Sequence, residues 1–355
     1  MTVHHSSVPD FDDLPKVENM PQGYVWSLFD KDGKKDLLGT LNFLTPDIVQ
    51  AAAAEVKEGI SVSLNPHLTP PASWSLTGMG KIDVPGRKRA EHKFLYNPDS
   101  MGFAVGESWD DELSINTQNS SQWDSLCHFS HQPTAQVYNG FRLTHEVLAA
   151  AASPSSDSPV PTLDHWHPHG GLVARGVLID YMAYAEDKGI PYHPFAGTRI
   201  GPDDMEACAA HQGVEFRPGD ILIVRTGMTE VFDALTPEQL RAAGEVDTVT
   251  MSGVHGSTET ARWIWNHRFV AVASDNNSVE ALPPLKADGS PGGFDELVLH
   301  PLLLSGFGMP LGELWDLSRL SRLCREKKRY SFMVTSVPLN HPGLIGSPPN
   351  ALAIL

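Results

Sequence analysis

Gln122, Asp124 and His128 carry the residue types that hold a water and move its proton, and they sit close together in the stretch QNSSQWDSLCHF at 118–129. On an extended segment, side chains two apart face the same side, so Gln122 and Asp124 share one. A turn after Asp124 brings His128 to the same pocket. A carboxylate beside an imidazole is the minimum equipment for general acid–base catalysis. The same stretch also suits a polar turn with Trp123 and Phe129 in the core, and the residues alone leave both readings open.

Histidine, the residue of metal sites and proton transfer, occurs sixteen times among the 355 residues. The densest cluster is His165, His167 and His169, at the end of a Ser/Pro-rich stretch (SPSSDSPVPTLDHWHPHGG, 153–171) that reads as a solvated loop. The three cysteines, Cys127, Cys208 and Cys324, are too few and too scattered for a disulfide framework or a zinc ribbon. No glycine-rich phosphate loop, G-x-S-x-G elbow or H-E-x-x-H pair is present. A formal charge of −17 argues against nucleic acid and anionic lipid as partners, leaving a small molecule. The N-terminus lacks the basic and apolar regions of a signal peptide, and no apolar run is long enough to span a bilayer, so a cytoplasmic protein is expected.

The elements that must position these residues read as α/β. Thr45 caps a helix predicted from Pro46 to Gly59, followed by a strand at Ile60–Leu64. Apolar strands are predicted at 176–180, 221–225 and 269–273, with helices at 202–211 and 255–266 and a helix-prone stretch at 229–244. Asp180 and Asp275 close two of the strands. Residues 1–22 read as a polar arm apart from the core, and 23–355 as one catalytic domain with long loops at 65–101 and 153–171.

Residues 118–128 resemble the signature H-x-G-T-H-x-D-x-P-x-H of the metal-dependent cyclase superfamily, which includes bacterial kynurenine formamidases and isatin hydrolase. Asp124 and His128 fall on its Asp and last His; Gln118 and Gln122 replace its first two histidines, and Leu126 its proline. Ordered blocks from Asp36 to Ala351 are similar to the long, fungal-type members. They include DLLGTLN at 36–42, Tyr138-Asn139-Gly140, RGVLID at 175–180, PGDIL at 218–222, Arg225-Thr226-Gly227, HPLLL at 300–304 and GSPPNA at 346–351.

The resemblance implies a swivelling β/β/α fold around a central β-barrel-like sheet, assembled as a homodimer or homotetramer. It also implies a hydrolase that directs an activated water at a cyclic amide, lactone or other activated carbonyl. The family's first metal site maps to Gln118, Gln122 and Asp124, where two amide oxygens cannot match imidazole for zinc. Its second maps to Asp124, His300 and a glutamate. Ungapped alignment puts Gly312 on that glutamate's position with Glu313 one residue later, and a one-residue slip on a regular strand would aim Glu313 to the opposite face.

Three states follow: one divalent metal, zinc or manganese, on Asp124, His300 and Glu313 with waters; a metal-free pocket with His128 and Asp124 as an acid–base pair; or a pocket that binds without turnover. The metal-free state fits a lyase, dehydratase or cyclase of secondary metabolism. The implied roles make His128 the general base or proton donor. Gln122 and Gln118 become hydrogen-bond donors to a carbonyl or oxyanion, and His67 a residue of the pocket rim. Trp74, Trp109 and Trp123 are candidate pocket walls, Trp123 being equally suited to the core. His300 has the alternative of a core histidine before a proline kink.

Overall fold

The computed structural model describes residues 5–68, 87, 90–103, 106–153, 159–236, 238–239 and 250–355. Its strands in chain order are β1 (Ser61–Ser63), β2 (Glu91–Tyr96), β3 (Trp109–Ser114), β4 (Gln122–Asp124), β5 (Leu172–Asp180), β6 (Arg199–Ile200), β7 (Ile221–Arg225), β8 (Gly253–Val254), β9 (Ala271–Ser274), β10 (Leu311–Glu313), β11 (Ser331–Ser336), β12 (Gly346–Ser347) and β13 (Ala351–Ile354). Nine of them form one sheet in the order β1-β13-β11-β5-β7-β9-β10-β4-β12. The centre, β5-β7-β9-β10, is parallel and both flanks are antiparallel. Strands buried on both faces need near-continuous apolar sequence, and LVARGVLID in β5 and ILIVR in β7 supply it. The fold is α/β with a large curled sheet, as the resemblance implies.

Helices at Tyr181–Lys188, Pro202–Gln212, Met228–Ala234 and Thr258–Asn266 connect the parallel strands. Their starts follow local chemistry: Asp180 accepts a hydrogen bond from Ala183 N and Ser257 from Thr260 N. The carboxylates at the strand ends hold the sheet together. Arg225 pairs with Asp180 across β7 and β5, while Asp275 accepts hydrogen bonds from Thr226 N, Thr226 Oγ1 and Gly227 N. No helix among the described residues is long and apolar enough to cross a membrane.

Several boundaries differ from those read in the sequence. The helix capped by Thr45 stops at Ala53, because the amides of Glu58, Gly59 and Ile60 turn to the carbonyl of Leu355 instead. The 65–101 stretch contains β2 and a short helix, Asn97–Ser100, with 69–86 and 88–89 outside the described residues. Most of the end of the 229–244 stretch also lies outside them, and the helix there ends at Ala234. Within 153–171, of which 154–158 lie outside the description, residues 163–169 form two helical turns around the buried Trp166, so the histidine cluster is not a solvated loop.

The N-terminal segment needs the largest correction. Val8, Phe11 and Leu14 are buried in the main core rather than carried on an arm apart from it. Their spacing of three places them on one side of the chain, a pattern that the polar average of residues 1–22 hides. The Phe11 ring meets Phe307 edge-on at 6.1 Å and lies under the Arg262 guanidinium at 5.1 Å. Trp265 Nε1 donates to the carbonyl of Pro9, and Arg268 to that of Val8. Phe11→Ala is therefore expected to lower unfolding stability by about 3–5 kcal/mol, read as a fall in the urea midpoint. An arm lying on the surface would cost less than about 0.5 kcal/mol.

Candidate active site

All three residues of β4 are buried, and the alternation of the strand separates them. Gln122 and Asp124 face one side. Trp123 faces the other, where its ring packs against Trp166 and Trp315 and its Nε1 donates to Ser336 Oγ at 2.8 Å. Trp123 is thus a core residue, and its assignment as a substrate contact is corrected.

The pairing with β10 decides which residue joins Asp124. Glu313 lies directly opposite Gln122, and Gly312 opposite Trp123. Residues opposite each other on paired strands share a face, so Glu313 points into the site and the slip suggested by the alignment does not turn it away. Gly312 occupies the core face, where a Cβ would come within 2.9 Å of the Trp315 ring and of Ala273. That face has room only for glycine.

His300 precedes a π-helical segment, Pro301–Phe307, and Glu280 holds the three amides that lead into it. Its Oε2 accepts from Val298 N and Leu299 N, and its Oε1 from His300 N at 3.0 Å. The same Oε1 holds His300 Nδ1 at 2.8 Å, which turns Nε2 toward Glu313 Oε1 at 3.2 Å. A carboxylate behind a histidine is the arrangement that orients a metal-ligating imidazole. Asp124, His300 and Glu313 each offer a ligand atom within 4.8 Å of the other two.

The glutamines brace this cluster. Gln118 Nε2 donates to Asp124 Oδ1 at 2.6 Å, and Gln122 Nε2 donates to Gln118 Oε1 at 3.2 Å and Glu313 Oε2 at 2.7 Å. Both amide hydrogens of Gln122 are engaged, so it positions Glu313 and Gln118 and has none left for an oxyanion. This corrects the donor role expected for Gln122.

His128 is half-buried, with Nδ1 4.0 Å from Asp124 Oδ1, beyond hydrogen-bond reach. Burial pushes its pKa down, against the pull of Asp124, which favours a neutral imidazole. Arg87, absent from the sequence reading, donates to the carbonyl of Gln118 at 3.4 Å and its charge is felt at both His128 and Glu313. Glu280 was missed as well: it lies 20 residues before His300, and no local motif marks it.

Other candidates fall outside the cluster. The His67 side chain is exposed, and the residue reaches the segment before β4 through its carbonyl, which accepts from Ser120 Oγ. Trp109 is 65% exposed on β3, and Trp74 lies outside the described residues. His165 and His167 hydrogen-bond to the carbonyls of Val160 and Pro338 and do not converge on a metal.

The buried cluster carries more negative than positive charge. Burial disfavours protonated His300, but hydrogen bonds and charge from Glu280 and Glu313 outweigh it and raise its pKa to about 10. Glu313 rises to about 7 through burial and the neighbouring Asp124 charge. The His300 proton thus does what a cation would do between these carboxylates. Two buried acceptors on these side chains, Asp124 Oδ2 and Gln122 Oε1, have no hydrogen-bond partner. One imidazole nitrogen and two carboxylates fit a divalent ion bound mainly through oxygen.

The family profile described as "Putative cyclase" matches residues 40–281. The fold is similar to the crystal structure of a novel cyclase at 27% identity and a TM-score of 0.73, covering 94% of this chain and all of that one. Isatin hydrolase A from Labrenzia aggregata aligns at 15% identity over 85% of this chain and 94% of its own, with a TM-score of 0.54. The Ralstonia solanacearum enzyme of the same name aligns at 16% over 87% and 98%, with a TM-score of 0.53. Comparison with curated proteins found no match. With more than half of its length matched by the family profile, and a nine-stranded sheet that carries the signature segment on β4, the chain belongs to the cyclase family.

Proposed function

We propose that this protein is a hydrolase acting on a cyclic amide, lactone or comparable carbonyl compound, with one divalent ion held by Asp124, His300 and Glu313. The observation that carries the reading is the convergence of these three buried side chains, with Asp124 Oδ2 left without a hydrogen-bond partner. A zinc or manganese ion there would polarise the substrate carbonyl and make water acidic enough to attack near neutral pH. The remaining work belongs to the chain. His128, held neutral by burial, accepts the proton of the attacking water and returns it to the leaving nitrogen or oxygen. Gln118 and Gln122 keep the two carboxylates apart and aligned. A metal-free pair of His128 and Asp124 is the competing reading, and their 4.0 Å separation is what argues against it.

The test is metal analysis of freshly purified protein, followed by EDTA treatment and readdition of zinc or manganese. Melting temperature is followed together with turnover of a panel of cyclic amides and lactones, scored as gain of one water by mass spectrometry. One ion per chain with EDTA-sensitive turnover is expected; full turnover without metal overturns the reading. Glu280→Gln adds a finer check. With the carboxylate behind His300 weakened, ion affinity is expected to fall about 10–100-fold by titration calorimetry.

A further inference from the structure

The run Lys31-Asp32-Gly33-Lys34-Lys35 gathers three positive charges in a chain whose formal charge is −17. Asp32 and Gly33 both have positive φ, 53° and 72°, as in the two-residue turns that join hairpin strands. Lys31 N donates to the carbonyl of Lys34 at 3.1 Å, and Lys34 N to that of Lys31 at 2.9 Å. The two lysines therefore stand directly opposite each other on one face, where like charges repel. The fold does not let them part. Asn139 Nδ2 donates to Asp30 Oδ1 and to the carbonyl of Asp36, and Asp30 Oδ1 also accepts from Asp36 N. Lys35 is spent on the carbonyl of Asn139 and the face of Phe141. Lys31 and Lys34 are exposed and form no ion pair among the described residues. Such a pair costs the free protein stability and gains most from an anion that touches both.

The turn borders a cleft of about 640 Å³, a size that takes a small molecule. Leu37, Leu38 and Pro168 give the cleft an apolar lining, and His165 and His169 add two imidazoles. These histidines belong to the helical turns anchored by buried Trp166. His165 commits Nε2 to the carbonyl of Val160 and keeps Nδ1 for another partner. Two acids also line the cleft. Asp36 is taken up by Leu38 N, Gly39 N and Tyr138, while Asp32 sits exposed at the tip of the turn. The basic residues around the helix Ser318–Lys327 are neutralised at home instead: Arg322 pairs with Glu230, Arg325 with Asp187 and Arg329 with Glu58. An overall charge of −17 repels an extended polyanion or an anionic membrane, whereas a small anion within a Debye length of the lysines feels mainly them.

We propose that this cleft is a binding site for a small phosphate monoester with an apolar body, separate from the candidate active site. The phosphate sits between Lys31 and Lys34, and the body lies on Leu37, Leu38 and Pro168. Two opposed ammonium groups match a phosphate monoester, which carries close to two negative charges near neutral pH, better than a carboxylate with one. None of Asp124, His300 and Glu313 lines the cleft.

Titration calorimetry of the full chain in low-salt, phosphate-free buffer tests this, with phenyl phosphate, inorganic phosphate and phenol as probes. Phenyl phosphate is expected to bind once per chain with a Kd below about 1 mM. Inorganic phosphate, lacking the apolar body, is expected to bind about ten-fold more weakly, and phenol not detectably. Lys34→Glu is expected to weaken phenyl phosphate at least about ten-fold. It should melt no lower than wild type, because an opposite charge now faces Lys31. Lys31→Arg/Lys34→Arg is expected to keep the site. Lys57→Glu, the same charge change at an exposed lysine outside the cleft, is expected to leave binding unchanged. Asp124→Asn is expected to bind phenyl phosphate as the wild type does, which separates this site from the candidate active site. A wild type that binds no phenyl phosphate, binding that survives Lys34→Glu, or binding lost with Asp124→Asn overturns the proposal. Inorganic phosphate bound as tightly as phenyl phosphate overturns the assignment of the apolar lining.

Discussion

Asp124→Asn is expected to abolish the rise in melting temperature produced by zinc or manganese and to lower kcat/KM by about 10³-fold, while leaving the metal-stripped protein as stable as the wild type or more so. The three effects share a cause. Asp124 and Glu313 are buried on one face of paired strands, and the charge of Asp124 helps hold Glu313 up to about 7. Without an ion, that repulsion costs stability. A neutral amide of the same shape removes it and retains an oxygen able to accept from Gln118 Nε2. With an ion, the missing negative charge dominates, because Asp124 brings one of the two carboxylates to the proposed ligand set. Thermal scanning of wild type and variant, with EDTA and with added metal, separates these contributions before any substrate is known. Equal metal-induced stabilisation of both proteins would falsify the ligand assignment.

What the sequence disclosed follows the range of the interactions involved. The Thr45 cap, β7 at residues 221–225 and the helix from Pro202 are local matters of capping and apolar runs, and they stand where they were read, although the helix after Thr45 ends at Ala53 rather than Gly59. The cluster of Asp124, His300 and Glu313 was approached through resemblance rather than spacing, since its members come from three separate elements. The ambiguity between Gly312 and Glu313 shows where the sequence stops. Which of them faces Asp124 is a property of the register between β10 and β4, and that register is set by Trp123 and Trp315 packing where Gly312 leaves space. Glu280 was hidden for the same reason: its partners are the amides of a turn and an imidazole 20 residues away. Phe11 was hidden by its polar neighbours, although it is as good as fully buried. The surplus of histidine misled because composition counts side chains without their partners. His165 and His167 spend a ring nitrogen on backbone carbonyls, whereas His300 has one nitrogen on Glu280 and the other facing the cluster.

Gln118→His/Gln122→His is expected to create a second metal site and raise zinc affinity by about 10²-fold or more. The amide ends of both glutamines already reach the cluster. Gln118 Nε2 lies 2.6 Å from Asp124 Oδ1, and Gln122 Nε2 contacts both Gln118 and Glu313. Two imidazoles projecting from these positions would meet the unpartnered Asp124 Oδ2 and form a two-histidine, one-carboxylate set with an open position. Amide oxygen is a weak zinc ligand and neutral imidazole a strong one, which gives the change its direction. The substitution also removes the hydrogen bonds that Gln122 gives to Glu313 and Gln118. Metal-free protein is therefore expected to melt lower than wild type and metal-loaded protein higher. The new ligands must shed a proton to bind, so the gain should grow as pH rises through about 6.5. Zinc titration by calorimetry, with Gln118→Leu/Gln122→Leu as the control, reads all of this directly. Two ions per chain in the histidine variant, one in the wild type and no added site in the leucine control are the expected counts. A histidine variant that binds no more zinc than the leucine control would mean that these side chains do not converge on Asp124 in solution.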